Sequence, residues 1–312
     1  MVRPTADGRA NGSAGEPRWL RPPAAVEPAD GTDGPAGHGS PADPLDGANT
    51  MEESPPATKA KFPTWVSELF NQFLDRNERL THVLRLSIGG ISMIRGRHQA
   101  LKVLAEVDGK LEDAKHELER AEKDKELAQR EVENDFPLLH EQATIALWSS
   151  LEALVRSFLA RWLANTPAAW QCDTVKKLRV RLGDYEGLEP LERCLWVVDL
   201  VDQEVSGPLR NGVTRFESLL QPFGLGGSVE PDCQRTLFEL SQVRHVLVHR
   251  SGVVDRKLTE ACPWLNLKAG DHLQVSHKMW RAYDGALGIY VLELIQRVRV
   301  HFGLGRHETG KQ

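Results

Sequence analysis

The sequence predicts an all-α protein, a helical bundle carrying a long N-terminal helical arm, and three observations carry that expectation. Apolar side chains recur at gaps of three and four along most of the chain from Trp65 onward. Pro137, Ser276 and glycines such as Gly252 and Gly303 stand where helices start and stop. Alternating strand patterns are confined to one short stretch, residues 266–275.

At 312 residues there is room for one large domain or two small ones. A net charge of −5 argues weakly against nonspecific polyanion binding by the whole chain, and says nothing of a local basic site. Apolar runs such as Leu195-Trp196-Val197-Val198 stop far short of the roughly 20 residues that cross a bilayer, so no membrane span is expected. Met1 to Ala10 has no apolar core, and no export signal is expected. The four cysteines lie far apart without a C-x-x-C pair, which points to buried thiols in a reducing cytoplasm rather than disulfides or a thiolate zinc site.

Residues 1–62 should form a disordered tail. The first 50 contain 8 Gly, 8 Pro and 9 Ala and almost no large apolar side chain to offset the entropy of ordering. An arm is expected over 63–135. It opens with Trp65, Leu69, Phe73, Leu80, Val83 and Leu84 at helical spacing, and Gly89-Gly90 is expected to break or loosen that helix. A heptad seam then runs Leu104, Val107, Leu111, Ala114, Leu118, Ala121, Lys125, Ala128, Val132, as in a coiled coil or helical hairpin, or alternatively a dimerisation arm. Twelve acids against six bases over 106–135 should make this arm repel nucleic acid.

A helical domain is expected over 136–303, followed by a flexible C-terminus, 304–312. Pro137 suits a helix start, and Trp148, Leu151, Val155, Phe158 and Trp162 form a broad buried stripe on the helix that follows. Glu152 and Arg156, four apart, fit an ordinary helical ion pair; alternatively Glu152 orients a residue on a neighbouring helix. Lys176, Lys177, Arg179 and Arg181 make either a solvated helix face or a patch for RNA phosphates. Helices are expected over 191–205, closed by Gly207-Pro208, and over 213–220. Asp232 is a plausible N-cap for a helix with Leu237, Leu240, Val243 and Leu247 on its core face, ending at Ser251-Gly252. Ala269-Gly270-Asp271 suggests a small surface hairpin before the last helix, which Ser276 caps and which buries Trp280, Tyr283, Leu287, Tyr290, Leu294 and Val298. His272, His277 and His301 read as surface or capping residues.

One polar cluster stands out: Val243-Arg244-His245-Val246-Leu247-Val248-His249-Arg250-Ser251-Gly252. Two histidines and an arginine near the end of an otherwise apolar core helix are costly unless used. This string resembles the R-x(4–6)-H motif of the HEPN superfamily. Similar context is found in Phe136-Pro137-Leu138-Leu139-His140, Leu147-Trp148, Leu151-Glu152, Arg215-Phe216-Glu217-Ser218-Leu219-Leu220 and Gly252-Val253-Val254-Asp255. The resemblance covers about 136–303 and departs from the family at His245, where members usually carry Asn.

The resemblance implies a homodimeric, metal-independent endoribonuclease without cofactors, of the kind found in antiviral or toxin systems with an antitoxin or regulatory protein as partner. His249 would be the base, since a neutral imidazole can take a proton from a ribose 2′-hydroxyl. Arg244 would fork onto the phosphate, His245 would hold the phosphate or act as acid, and Arg250 would add a phosphate contact. On an ideal helix Arg244 and His249 lie about 140° apart, whereas His245 and His249 share a face. That pair leaves open a zinc site, although Val246 stands where H-E-x-x-H has glutamate and no carboxylate or cysteine near the motif obviously completes a shell. An inactive interaction module is the third possibility. Gly224-Leu225-Gly226-Gly227 lacks the strand and the Lys-Ser/Thr of a phosphate loop.

Overall fold

The computed structural model describes residues 61–205 and 211–306. The expected tail, apart from its last two residues, the Gly207-Pro208 stop and the end of the C-terminus after residue 306 lie outside these. The described residues form helices joined by turns, with a single antiparallel bridge, Val253 to His272, as their only β pairing.

At the centre is α4, Pro137–Asn165. Leu151, Val155, Phe158, Leu159, Ala160, Trp162 and Leu163 are all fully or almost fully buried, a face too broad for a surface helix. By length and apolar composition α4 could cross a membrane, which corrects the expectation that no stretch comes close. Its apolar side chains are instead covered by other helices: α1 (Thr64–Ile94), α7 (Pro190–Val205), α9 (Pro231–Arg250) and α11 (His277–His301). Burying a side chain the size of Phe158 stabilises by about 1.5–3 kcal/mol.

The arm is not a separate body. Val66, Leu69, Phe70 and Phe73 of α1 are buried, and the Trp65 and Phe70 rings lie 6.1 and 5.7 Å from Phe158. Gly89-Gly90 does not break α1, which runs on to Ile94. The predicted heptad seam is also interrupted. Gly109, with φ +65°, turns the chain between α2 (Arg97–Val107) and α3 (Lys115–Glu133), making a helical hairpin. Ala121 and Ala128 are buried as α3 packs on α1, whereas Leu104, Val107 and Leu111 of the same seam are exposed.

Asp135 and Phe136 both adopt left-handed backbone, φ +60° and +52°, between α3 and α4. Two such residues in a row cost about 1–3 kcal/mol each and must be held by their surroundings. Asp135 is held twice. Its carboxylate accepts from the His277 backbone N–H at 2.7 Å, and its carbonyl accepts from His140 Nδ1 at 2.8 Å. A carbonyl can only accept, so the proton of neutral His140 sits on Nδ1, and Nε2 takes a bond from His277 Nδ1 at 3.2 Å. His277, expected at the surface or in a cap, thus couples the start of α11 to the start of α4.

The basic run 176–181 does not lie on one helix. Lys176 and Lys177 end the short α5 (Asp173–Lys177), Arg179 and Arg181 sit in the non-helical link after it, and α6 follows (Leu182–Glu186). The hairpin expected at 266–275 does not form on itself. Val254 N–H donates to Asp271 carbonyl at 2.9 Å and Leu273 N–H to Gly252 carbonyl at 2.8 Å, so the segment pairs with the chain leaving α9. Between them lies α10, Arg256–Ala261, N-capped by Asp255.

Candidate functional site

The motif occupies the last turns of α9. Glu230, not Asp232, caps this helix, its carboxylate accepting from Asp232 N–H and Cys233 N–H at 3.1 and 2.8 Å, with Pro231 in the first turn. At the far end Ser251 and Gly252 take φ +50° and +78°, and Gly252 N–H closes the last turn on the Val246 carbonyl at 3.2 Å. Val243, Val246 and Leu247 are buried, Arg244 and His245 half-buried, and His249 and Arg250 exposed.

The arginine and the histidines go different ways. Arg244 Nη2 lies 3.9 Å from Glu152 Oε2 across the α9–α4 contact, while its Nε is buried with no hydrogen-bond partner. Glu152 does not form the local pair with Arg156 that their spacing allows. Its other oxygen lies 3.7 Å from Arg215 Nη1, on α8 (Val213–Leu220), and Arg156 pairs with Asp199 of α7. Arg215 is anchored in turn by both carboxylate oxygens of Asp202, which hold its charged form still more firmly. A line from Asp202 through Arg215 and Glu152 to Arg244 thus spans four helices. The sequence marks Arg215 only as part of the resembling string 215–220 and does not mark Asp202, because partners this far apart along the chain leave no local spacing signal.

His245 and His249 lie instead against each other, ring centres 4.8 Å apart and ring planes inclined by 48°. Burial lowers the His245 pKa below the ordinary imidazole value, and the neighbouring His249 and Lys257 push it the same way, against Asp255. A ring kept neutral suits a proton acceptor better than a cationic phosphate holder or an acid. Arg250 lies 3.7 Å from Asp255.

Among the described residues no group of three or more His, Cys, Asp or Glu side chains is placed to hold a metal ion, so the histidine pair has no third protein ligand there. The run Lys176, Lys177, Arg179, Arg181 is exposed, in a segment whose α5 packs on α7. Cys194, Cys233 and Cys262 are buried thiols; burial pushes Cys233 up to about 11 and Cys262 up to about 12, which makes them poor nucleophiles. Cys172 is only half-buried. Comparison with protein-family models, with curated proteins and with solved structures finds no match to this chain.

Proposed function

We propose that this chain is a HEPN-type endoribonuclease that works as a homodimer and cleaves RNA without a metal ion, as an effector in an antiviral or toxin system. The observation that carries this is an incompletely satisfied guanidinium and an accessible imidazole on the same end of α9. Arg244 has one buried donor unfilled and only a 3.9 Å carboxylate partner, while His249 is exposed five residues further on. Donor capacity left over in a half-buried arginine is costly, about 1–3 kcal/mol, unless an anion uses it.

In the reaction His249 takes the proton of a ribose 2′-hydroxyl, and the 2′-oxygen attacks the adjacent phosphorus. The bond from phosphorus to the 5′-oxygen breaks, and that oxygen leaves with the proton that His249 has taken up, which returns the imidazole to its neutral form. The products are a 2′,3′-cyclic phosphate and a 5′-hydroxyl. Arg244 stabilises the charge on the non-bridging oxygens, and Glu152 positions Arg244. Since Arg244 and His249 lie about 140° apart on α9, the second copy's motif completes the site in the dimer.

The test is cleavage of generic single-stranded RNA in excess EDTA. Activity should survive EDTA and fall about 10²–10³-fold in Arg244→Ala, with a similar loss in His249→Ala. Either variant keeping full activity would overturn the assignment, and EDTA sensitivity would favour zinc. One observation favours a second reading, an inactive interaction module: the guanidinium of Arg244 faces Glu152, as that of a structural arginine would.

A further inference from the structure

We propose that the cavity at the other end of α9 is a nucleobase subsite, which takes one base of a single-stranded RNA at a fixed distance from the scissile linkage. This rests on reading the chain as an RNA-binding protein and names how that RNA is held.

The cavity has a volume of about 410 Å³, in the range that encloses a small planar ligand. Phe238 and Trp264 give it flat walls, Arg235 a guanidinium plane, and Asn211, Thr214 and Gln234 a polar rim. Its walls are fixed in advance. The Trp264 indole N–H donates to Glu239, whose other carboxylate oxygen accepts from the buried Tyr283 hydroxyl at 2.7 Å. Gly212, at φ +60°, brings the start of α8 so close to α9 that a Cβ there would lie 2.7 Å from Phe238 Cα. That close approach seats Asn211 and Thr214 opposite Phe238.

Arg235 lies over Trp264, its guanidinium carbon 4.2 Å from the ring centre. A guanidinium stacked on an indole presents its second face as a stacking surface for a base, as aromatic and arginine planes do in single-strand recognition. Its charge also draws the flanking phosphate. The amides of Asn211 and Gln234 can each donate and accept, which is what the edge of a base requires.

Position on the helix ties this cavity to the histidines. Arg235, Phe238, His245 and His249 fall within an arc of about 80° on α9, and 14 residues at 1.5 Å each separate Arg235 from His249 by about 21 Å. Short α10 packs along α9 and carries exposed Lys257 beside His245. One extended strand lying along this seam meets the imidazole pair at one end and the Arg235–Trp264 stack at the other, several nucleotides apart.

The experiment uses the full chain with His249→Ala, so that RNA is not consumed, and labelled ten-nucleotide single-stranded RNAs in which each position in turn is abasic. Fluorescence anisotropy should show about a tenfold loss of affinity at one position, and about a tenfold loss for Arg235→Ala with intact RNA. The two changes together should cost no more than either alone. Arg235 is exposed, and circular dichroism of Arg235→Ala should be that of the parent. A loss that is equal at every abasic position, or no loss, would overturn the subsite. Absence of RNA binding by the parent also overturns it. Cleavage by the unsubstituted chain is scored separately: specific coupling without cleavage keeps the subsite and removes the nuclease, and cleavage without coupling does the reverse.

Discussion

At the scale of single residues, His140 is the side chain whose burial has the clearest consequence. Fully buried, it has its pKa lowered by loss of solvent, and the Asp135 carbonyl only partly offsets this. The unfolded chain therefore binds a proton on this ring near pH 6.5 where the folded chain does not, so stability falls as the pH drops below about 6.5. The His245 shift has the same sign. Urea unfolding at pH 7.5 and 5.5 should show the midpoint falling at the lower pH, and falling less in His140→Gln; an unchanged midpoint would contradict the buried neutral ring. The site was legible residue by residue only where its members are close in sequence. Arg244, His245 and His249 stand within six positions, and their polarity in an apolar run marks them. Of the two readings of Glu152, the local pair with Arg156 does not form, and the one that turns it toward a neighbouring helix fits its contacts with Arg215 and Arg244, 63 and 92 positions downstream, partners that no local spacing identifies.

At the scale of elements, the long helices were legible because their apolar stripes are long: α4, α9 and α11 match the spacing of Trp148 to Trp162, Leu237 to Leu247 and Trp280 to Val298. Breaks were harder. Gly89-Gly90 costs α1 up to about 1 kcal/mol per residue in propensity, yet the helix continues because neither glycine takes positive φ, and stopping there would forfeit packing on α3. A Cβ at either position meets nothing within 4 Å. Gly89→Ala and Gly90→Ala should therefore each stabilise the fold, by about 0.4–1 kcal/mol, in chemical denaturation. If either destabilises, α1 is not continuous there. The real break, at Gly109, was hidden by an unbroken three-four pattern in which Leu104, Val107 and Leu111 turned out to face solvent. The hairpin expected at 266–275 failed for a related reason: alternation reports an extended segment but not its partner, here the stretch after α9.

For the whole molecule, the all-α class follows from the sequence, but the boundary drawn at residue 135 does not survive the aromatic packing of α1 on α4. What holds the hairpin is distributed: Arg97 reaches Glu117 at 3.3 Å and His98 reaches Glu122 at 3.0 Å between its two arms, while α3 lies on α1 and Asp135 holds the start of α11. The turn around Gly109 and Lys110, by contrast, is fully exposed. A protease such as trypsin should cut after Lys110 without releasing either half, since each remains clamped through contacts made elsewhere. Gel filtration should return one peak that separates into two bands only under denaturing conditions, so that covalent continuity at this tip is dispensable once the chain has folded.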